Sequence, residues 1–218
     1  MSNRKKVALN IISSAKIYAP KKIEDLDEKR IVPKMMIRRR LTRNAKIMLY
    51  IADRCGFEGG KIVYASAFGE LQSTVGITDA ILNETQISPT LFQNSVYNSA
   101  PSYFSLLNED RDEIITISSG MNSSRDALKS AALQALISGE RVLCVATECL
   151  DIANIEDVNH CSTYLESGAG IVVEIAADES DTENIRNEKE EGIIDSLDAL
   201  ISVVNMHKQG MEKIWVTL

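Results

Sequence analysis

Histidine is the scarcest of the reactive residues here: 218 residues carry only His160 and His207. Neither falls in a recognisable catalytic motif, which leaves little material for acid–base relays. The four cysteines, Cys55, Cys144, Cys149 and Cys161, form no Cys-x-x-Cys pair. His160 and Cys161 are adjacent, which is not metal-ligand spacing, so a zinc site is not expected. No apolar run approaches the roughly 18 residues of a membrane span. The basic start followed by "VALNIISSA" lacks a signal-peptide profile, because Asn10, Ser13 and Ser14 break it and no small-residue cleavage site follows. It reads as a first strand, and the chain as cytoplasmic. Disulfides are therefore not expected. Nothing in the sequence calls for a metal or another cofactor.

What is present is ordinary globular composition, 44% hydrophobic and 25% charged. This length suits one core, hence a single domain over 1–218. Charge is uneven. Residues 1–46 hold 14 of the 24 Lys and Arg against four acids, a net of +10, which leaves −17 for the other 172 residues. The stretch 178–191, "DESDTENIRNEKEE", has seven acids, two bases and one large apolar residue, Ile185. It reads as an acidic surface loop. An overall charge of −7 and the absence of any nucleic-acid motif exclude nucleic acid as a partner.

Strand and helix signals alternate. "KVALNIIS" is a strand. A helix is expected over 38–56, with Ile37, Leu41, Ala45, Met48 and Ala52 on one face. "GGKIVYASAFGE" is a strand between glycines, and 70–84 is a second helix. The stretch 88–107 starts helical and breaks before Pro101. "DEIITISSG" is a strand. "SSRDALKSAALQALISG" is a helix with Ser123 as N-cap and Gly139 as its stop. "RVLCVATE" and "AGIVVEIAA" are strands, 192–206 is a helix and "MEKIWVTL" a closing strand. The alternation predicts an α/β fold, a layered mixed sheet flanked by helices.

One stretch carries a sharper signal. Thr116-Ile117-Ser118-Ser119-Gly120-Met121-Asn122-Ser123-Ser124, with Ala127 and Leu128 beyond, resembles the strand–turn–helix that holds the catalytic cysteine in β-ketoacyl synthases. Met121 stands at the cysteine position. "SPTLFQNSVYNSAPSYFSL" is similar to a second block of that family. Ser88, Pro89, Thr90, Phe92, Ser95, Val96, Asn98 and Ser105 match; Tyr97 replaces a usual histidine and Ser102 a usual glycine. "PKMMIRRRLTRNAKI" and "YASAFGELQST" fit two further blocks, and Trp215 follows a late helix. The resemblance is to the stand-alone β-ketoacyl synthase-like N-terminal domain family. It implies a thiolase-like half-domain, complete in itself, of the kind described as chain-length factors in aryl polyene and flexirubin-type pigment pathways.

The resemblance also implies roles. A condensing enzyme needs a thiolate to carry the acyl chain, and a thioether at Met121 cannot supply one, so the chain is expected to be non-catalytic. Its expected partner is a full-length β-ketoacyl synthase, or a second copy of itself, paired through the strand that carries Ile114, Ile115, Ile117 and Ser118. Tyr97, Asn98, Tyr103 and Phe104 could gate a partner's acyl tunnel or could fill this domain's own core. Arg38, Arg39, Arg40 and Arg43 could meet an acidic acyl carrier protein, helical spacing placing Arg39 and Arg43 on one face, or could be a solvated helix start. Two rivals stay open: a divergent acyl-transferring or decarboxylating enzyme using Ser119 or Cys149, the cysteine that follows a strand and is the thiol best placed to be exposed, and a self-associating acyl-thioester-binding protein.

Overall fold

A computed structural model describes residues 5–152, 162–186 and 188–218. His160, Cys161 and Asn187 lie outside them. Seven strands form one sheet in the order β3-β2-β4-β5-β1-β7-β6. β2 (Lys61–Ala65), β3 (Ile114–Ile117) and β4 (Val142–Cys149) run parallel. β5 (Glu166–Ile175) lies antiparallel to β4 and to β1 (Lys6–Ala19), and β1 is antiparallel to β7 (Lys213–Thr217). The short β6 (Glu183–Asn184) closes the far edge.

Helices cover both faces. On one side lie α3 (Arg43–Arg54) and α6 (Ser99–Asn108); on the other, α7 (Ser123–Ser138) and α8 (Asp198–Lys208). The central strands show why. Along β4, Val142, Cys144 and Ala146 join the core under α7, while Leu143, Val145 and Cys149 join the core under α3. A strand buried on both faces reads as a continuous apolar run, which is how "VLCVA" reads. The layered mixed sheet is therefore the observed architecture.

Close approach sets the layer spacing. Ala127, Ala131, Ala132 and Ala135 form the buried side of α7. On β5, Gly168 and Gly170 leave room for α3: an added Cβ would lie 2.5 Å from Ile47 Cγ2 at the first and 2.6 Å from Ile51 Cγ2 at the second.

Three local expectations differ from the structure. The helix expected over 38–56 is two helices. α2 (Met35–Arg38) ends in a turn, and α3 restarts at Arg43 with Thr42 as N-cap, its side chain accepting from Ala45 N at 3.0 Å. The break in 88–107 falls between α5 (Pro89–Asn94) and α6, so Pro101 sits in the first turn of α6, where a missing N–H costs nothing. The acidic segment is a strap rather than a free loop. β6 pairs with β7, Ile185 packs on the core, and Glu190 holds Lys16 and Tyr18.

Replacing Gly170 with valine should force α3 away from β5. The expected cost is about 1–3 kcal/mol, read as a lower denaturation midpoint; an unchanged midpoint would show that the helix–sheet spacing is not set there.

Candidate functional site

The turn between β3 and α7 is built by Ser123, the first helical residue. Its Oγ accepts from Ser119 N at 3.0 Å and donates to Gly120 O at 2.6 Å. The expected N-cap role is thus corrected: Asn122 occupies the cap position without a side-chain bond, and the Ser123 hydroxyl folds the turn. Gly120 takes φ +57°, a left-handed conformation at its tip. Met121 follows and is 41% exposed. The side chain read from the sequence as standing at the nucleophile position therefore reaches solvent, and it is a thioether.

Among the described residues His207 is the only histidine. Asp126, in the first turn of α7, accepts from Lys129 Nζ at 2.9 Å, and Ser119 gives its backbone N–H to Ser123. His207 is engaged at Nδ1 by Ser14 Oγ, 2.8 Å away. Cys149, read from sequence as the thiol best placed for exposure, is 2% exposed. Burial first, then the nearby Glu166 and Glu70 carboxylates, push its thiol well above the ordinary value. Both causes disfavour the thiolate. Among the described residues no cluster of three or more His, Cys, Asp and Glu is arranged to hold a metal, and no helix is long and apolar enough to cross a membrane.

β3 lies at one edge of the sheet and pairs on one side only, with β2. Ile114, Ile115 and Ile117 are half-buried and Ser118 is exposed. The aromatic set divides. Phe104 is 2% exposed and packs on Phe57, with ring centres 5.6 Å apart, so it fills this domain's core. Tyr103 is half-buried and donates to Arg40 O at 2.8 Å. Tyr97 and Asn98 are exposed. The Tyr97 ring lies over Gly69, where a Cβ would be 2.8 Å from it, and its hydroxyl donates to Ala67 O at 3.2 Å.

The arginines divide too. Arg39 and Arg40 are exposed in the turn after α2. Arg38 donates to Val32 O at 2.9 Å. Arg43 turns inward: Nε donates to Glu166 Oε1 at 2.7 Å and Nη2 to Ile23 O at 3.0 Å. The helix break separates Arg39 from Arg43, so the expected shared face does not exist.

Sequence reasoning missed the carboxylates beneath this region. Glu148, fully buried, accepts from Ser66 Oγ at 2.9 Å, Ala67 N at 2.5 Å, Phe68 N at 3.3 Å and Ser196 Oγ at 2.9 Å. Glu70, 5% exposed, accepts from Thr42 Oγ1 at 2.8 Å. Together they shape the loop 66–69 on which Tyr97 stands. The glutamate inside the "RVLCVATE" run was the available signal, since a charge ending a doubly buried strand demands partners. Burial outweighs the donors and raises both carboxyls to about 7.

The layered half-domain and its strand–turn–helix define a thiolase-like fold. A family model described as the β-ketoacyl synthase N-terminal domain matches residues 14–191, and the chain belongs to that family. No curated protein matches the chain. Among solved structures, it superposes on a chain of the ketosynthase ApeO in complex with its chain length factor ApeC from Xenorhabdus doucetiae. The TM-score is 0.66 at 20% identity, covering 82% of this chain and 85% of that one. A chain of the ishigamide ketosynthase/chain length factor gives 0.60 at 12% identity, covering 79% and 63%. One from the type II polyketide synthase complex AntDE:AntF, an acyl-carrier protein with its ketosynthase bound to the hexaketide, gives 0.59 at 14%, covering 78% and 64%. This chain thus spans less than two thirds of the latter two.

The pH dependence of stability follows from the raised carboxyls. A carboxyl whose folded value lies near 7, against an ordinary 4.5, binds more protons folded than unfolded between those values. Its contribution is complete below about pH 4.5, declines as pH rises, and is gone above about pH 7. The chain should therefore melt at a higher temperature near pH 5.5 than near pH 8, and Glu148→Gln should shrink that difference. A melting temperature that climbs from pH 5.5 to 8 would contradict the assignment.

Proposed function

We propose that this chain is a non-catalytic ketosynthase-like subunit. It pairs with a full-length β-ketoacyl synthase and shapes the tunnel in which a polyketide or fatty-acid-like chain grows, as a chain-length factor does. The observation that carries this reading is Met121. It occupies the exposed tip where an acyl-accepting thiolate would stand, and a thioether can neither accept an acyl group nor depart as a thiolate does. The buried Cys149 gives no substitute, and the bonds of the turn join Ser119 to Ser123.

The pairing surface is the β3 edge. Its outward N–H and C=O groups form half a ladder, and isoleucines flank them, which is what strand addition across an interface uses. α4 (Leu71–Leu82) and α5 add further apolar surface: Ile81, Leu82 and Phe92 are 60%, 74% and 69% exposed, and Val96 just beyond is 51% exposed. Two similar structures pair a ketosynthase with a chain length factor, which supports a heterodimer here. Tyr97 and Asn98 stand at this exposed corner as the tunnel-facing candidates. Tyr103 is half-buried and Phe104 belongs to the core. Arg39 and Arg40 are the cations free to meet an acidic carrier protein. The product class we favour is a polyene pigment of the aryl polyene or flexirubin type.

Co-expressed with a full-length ketosynthase of its own pathway, the chain should co-purify, and Ile115→Lys should weaken the complex at least about tenfold. Retention of full affinity by that variant would place the interface elsewhere. Alone, the protein should form no covalent acyl adduct with acyl thioesters by intact-mass measurement. Within the complex, Tyr97→Ala should shift the distribution of product lengths; an unchanged distribution would remove Tyr97 from the tunnel.

A further inference from the structure

Glu148, near the end of β4, is a fully buried carboxyl, and among the described residues no cation pairs with it. Oε2 accepts from Ser66 Oγ and Phe68 N; Oε1 accepts from Ala67 N and from Ser196 Oγ of the 3₁₀ turn at Asp195–Leu197. Two of these four donors are hydroxyls, which can turn and accept instead. A third hydroxyl, Ser167 Oγ, belongs to the residue opposite Glu148 on β5 and is buried without a partner. The cradle therefore accommodates Glu148 with its proton or without it. What separates the two forms is water: a closed loop strips the charge of solvent, and an opened loop hydrates it.

The loop 66–69 connects this carboxyl to Tyr97. Ser66 Oγ donates to Glu148 and also accepts from Gly69 N at 2.8 Å. From α3, Asn44 Nδ2 donates to Gly69 O at 2.7 Å. Gly69 has no side chain, and the Tyr97 ring occupies that space, while the Tyr97 hydroxyl donates to Ala67 O at 3.2 Å. Opening the loop removes both the surface under the ring and the acceptor of its hydroxyl. We infer that the loop 66–69 is a proton-operated latch: with Glu148 protonated it holds Tyr97 on Gly69, and ionisation of Glu148 loosens both.

The sign follows from burial. In the closed loop Glu148 titrates at about 7, against an ordinary 4.5 when hydrated. The closed form thus binds the proton more tightly; closing is favoured in acid and lost as pH rises through about 7. The charges on the surrounding elements do not reverse this. Tyr64 on β2 and Cys149 on β4 feel Glu148, and burial pushes both well up, so they stay neutral. Asp195 and Asp198, on the 3₁₀ turn and α8, pair with Lys189. On α7, Asp126 pairs with Lys129 and Arg125 is exposed. Tyr18 of β1 bonds Glu190, and Glu166 of β5 pairs with Arg43. Glu70, at the end of the loop, is raised by burial in the same direction and adds to the effect. The inference is independent of the ketosynthase reading, because it concerns the chain by itself.

Amide hydrogen exchange by NMR on the full chain tests it. After correction for intrinsic exchange, protection at Ala67, Phe68 and Gly69 N–H should fall roughly ten- to thirtyfold from pH 5.5 to pH 8. At both pH values these amides should exchange faster than that of Val145 in the centre of β4, which marks a local opening. The nuclear Overhauser contact between the Tyr97 ring and Gly69 should weaken over the same range. Glu148→Gln, uncharged throughout, should remove most of the pH dependence at Ala67 and Phe68. Ser66→Ala leaves Glu148 in place and should lower the protection of Gly69 already at pH 5.5. Loop protection that is flat or rises with pH would overturn the inference. So would loop amides that exchange only as fast as Val145, a Tyr97–Gly69 contact indifferent to pH, or an unchanged pH dependence in Glu148→Gln.

Discussion

One buried ion pair fastens this domain together. Arg43 and Glu166 keep 12% and 1% of their side-chain surface, and Glu166 also accepts from Ile23 N at 2.8 Å. The pair joins three pieces distant in sequence: the lead-in to α1 (Glu28–Ile31), the first turn of α3, and the first residue of β5. A buried carboxylate stripped of its cation is among the more destabilising defects a core can carry, costing about 3–5 kcal/mol. Removing the arginine would strand Glu166 in this way. The turn at 39–42 follows from the same demand, since α3 must begin where Arg43 can reach inward.

Beside the pair stand two further buried carboxyls, Glu70 and Glu148, without a cation of their own in hydrogen-bond contact. Hydroxyls and backbone N–H groups satisfy them instead. Glu148 gathers the loop after β2 and the short 3₁₀ turn at Asp195–Leu197 onto the end of β4. Gly69, at φ +57°, then presents a bare backbone on which the Tyr97 ring rests. The exposed corner that carries Tyr97 and Asn98 is thus held by polar groups deep inside. The family block that holds Ser66, Gly69 and Glu70 is tied into this buried polar network.

The fold was legible in the sequence because its central strands β2 and β4 are short, doubly buried and bounded by glycines and charges. The strand–turn–helix at 116–128 was legible through its resemblance to the family block and its alanine-rich helix. What escaped were features decided by tertiary partners. The helix expected over 38–56 is broken by inward demands on Arg43 that no periodicity announces. Ser123 looked like a cap and is instead the knot of the turn. Phe104 and Tyr97, seven residues apart in one block, have opposite fates, since one meets Phe57 and the other meets a glycine at the surface. Exposure of Cys149 was misjudged because Arg43, Glu70 and Glu166 converge on it from elements far apart in the chain.

The long strand β1 has a consequence in time. It is made first, yet both its neighbours, β5 and β7, are made late. Contacts of such long range are slow to form, because the intervening chain must be ordered before they repay the entropy lost. During synthesis β1 waits as an unpaired ribbon, and the sheet is not sealed until residues 213–217 have emerged. The nascent polypeptide therefore passes through a window in which its first and third strands both offer open ladders.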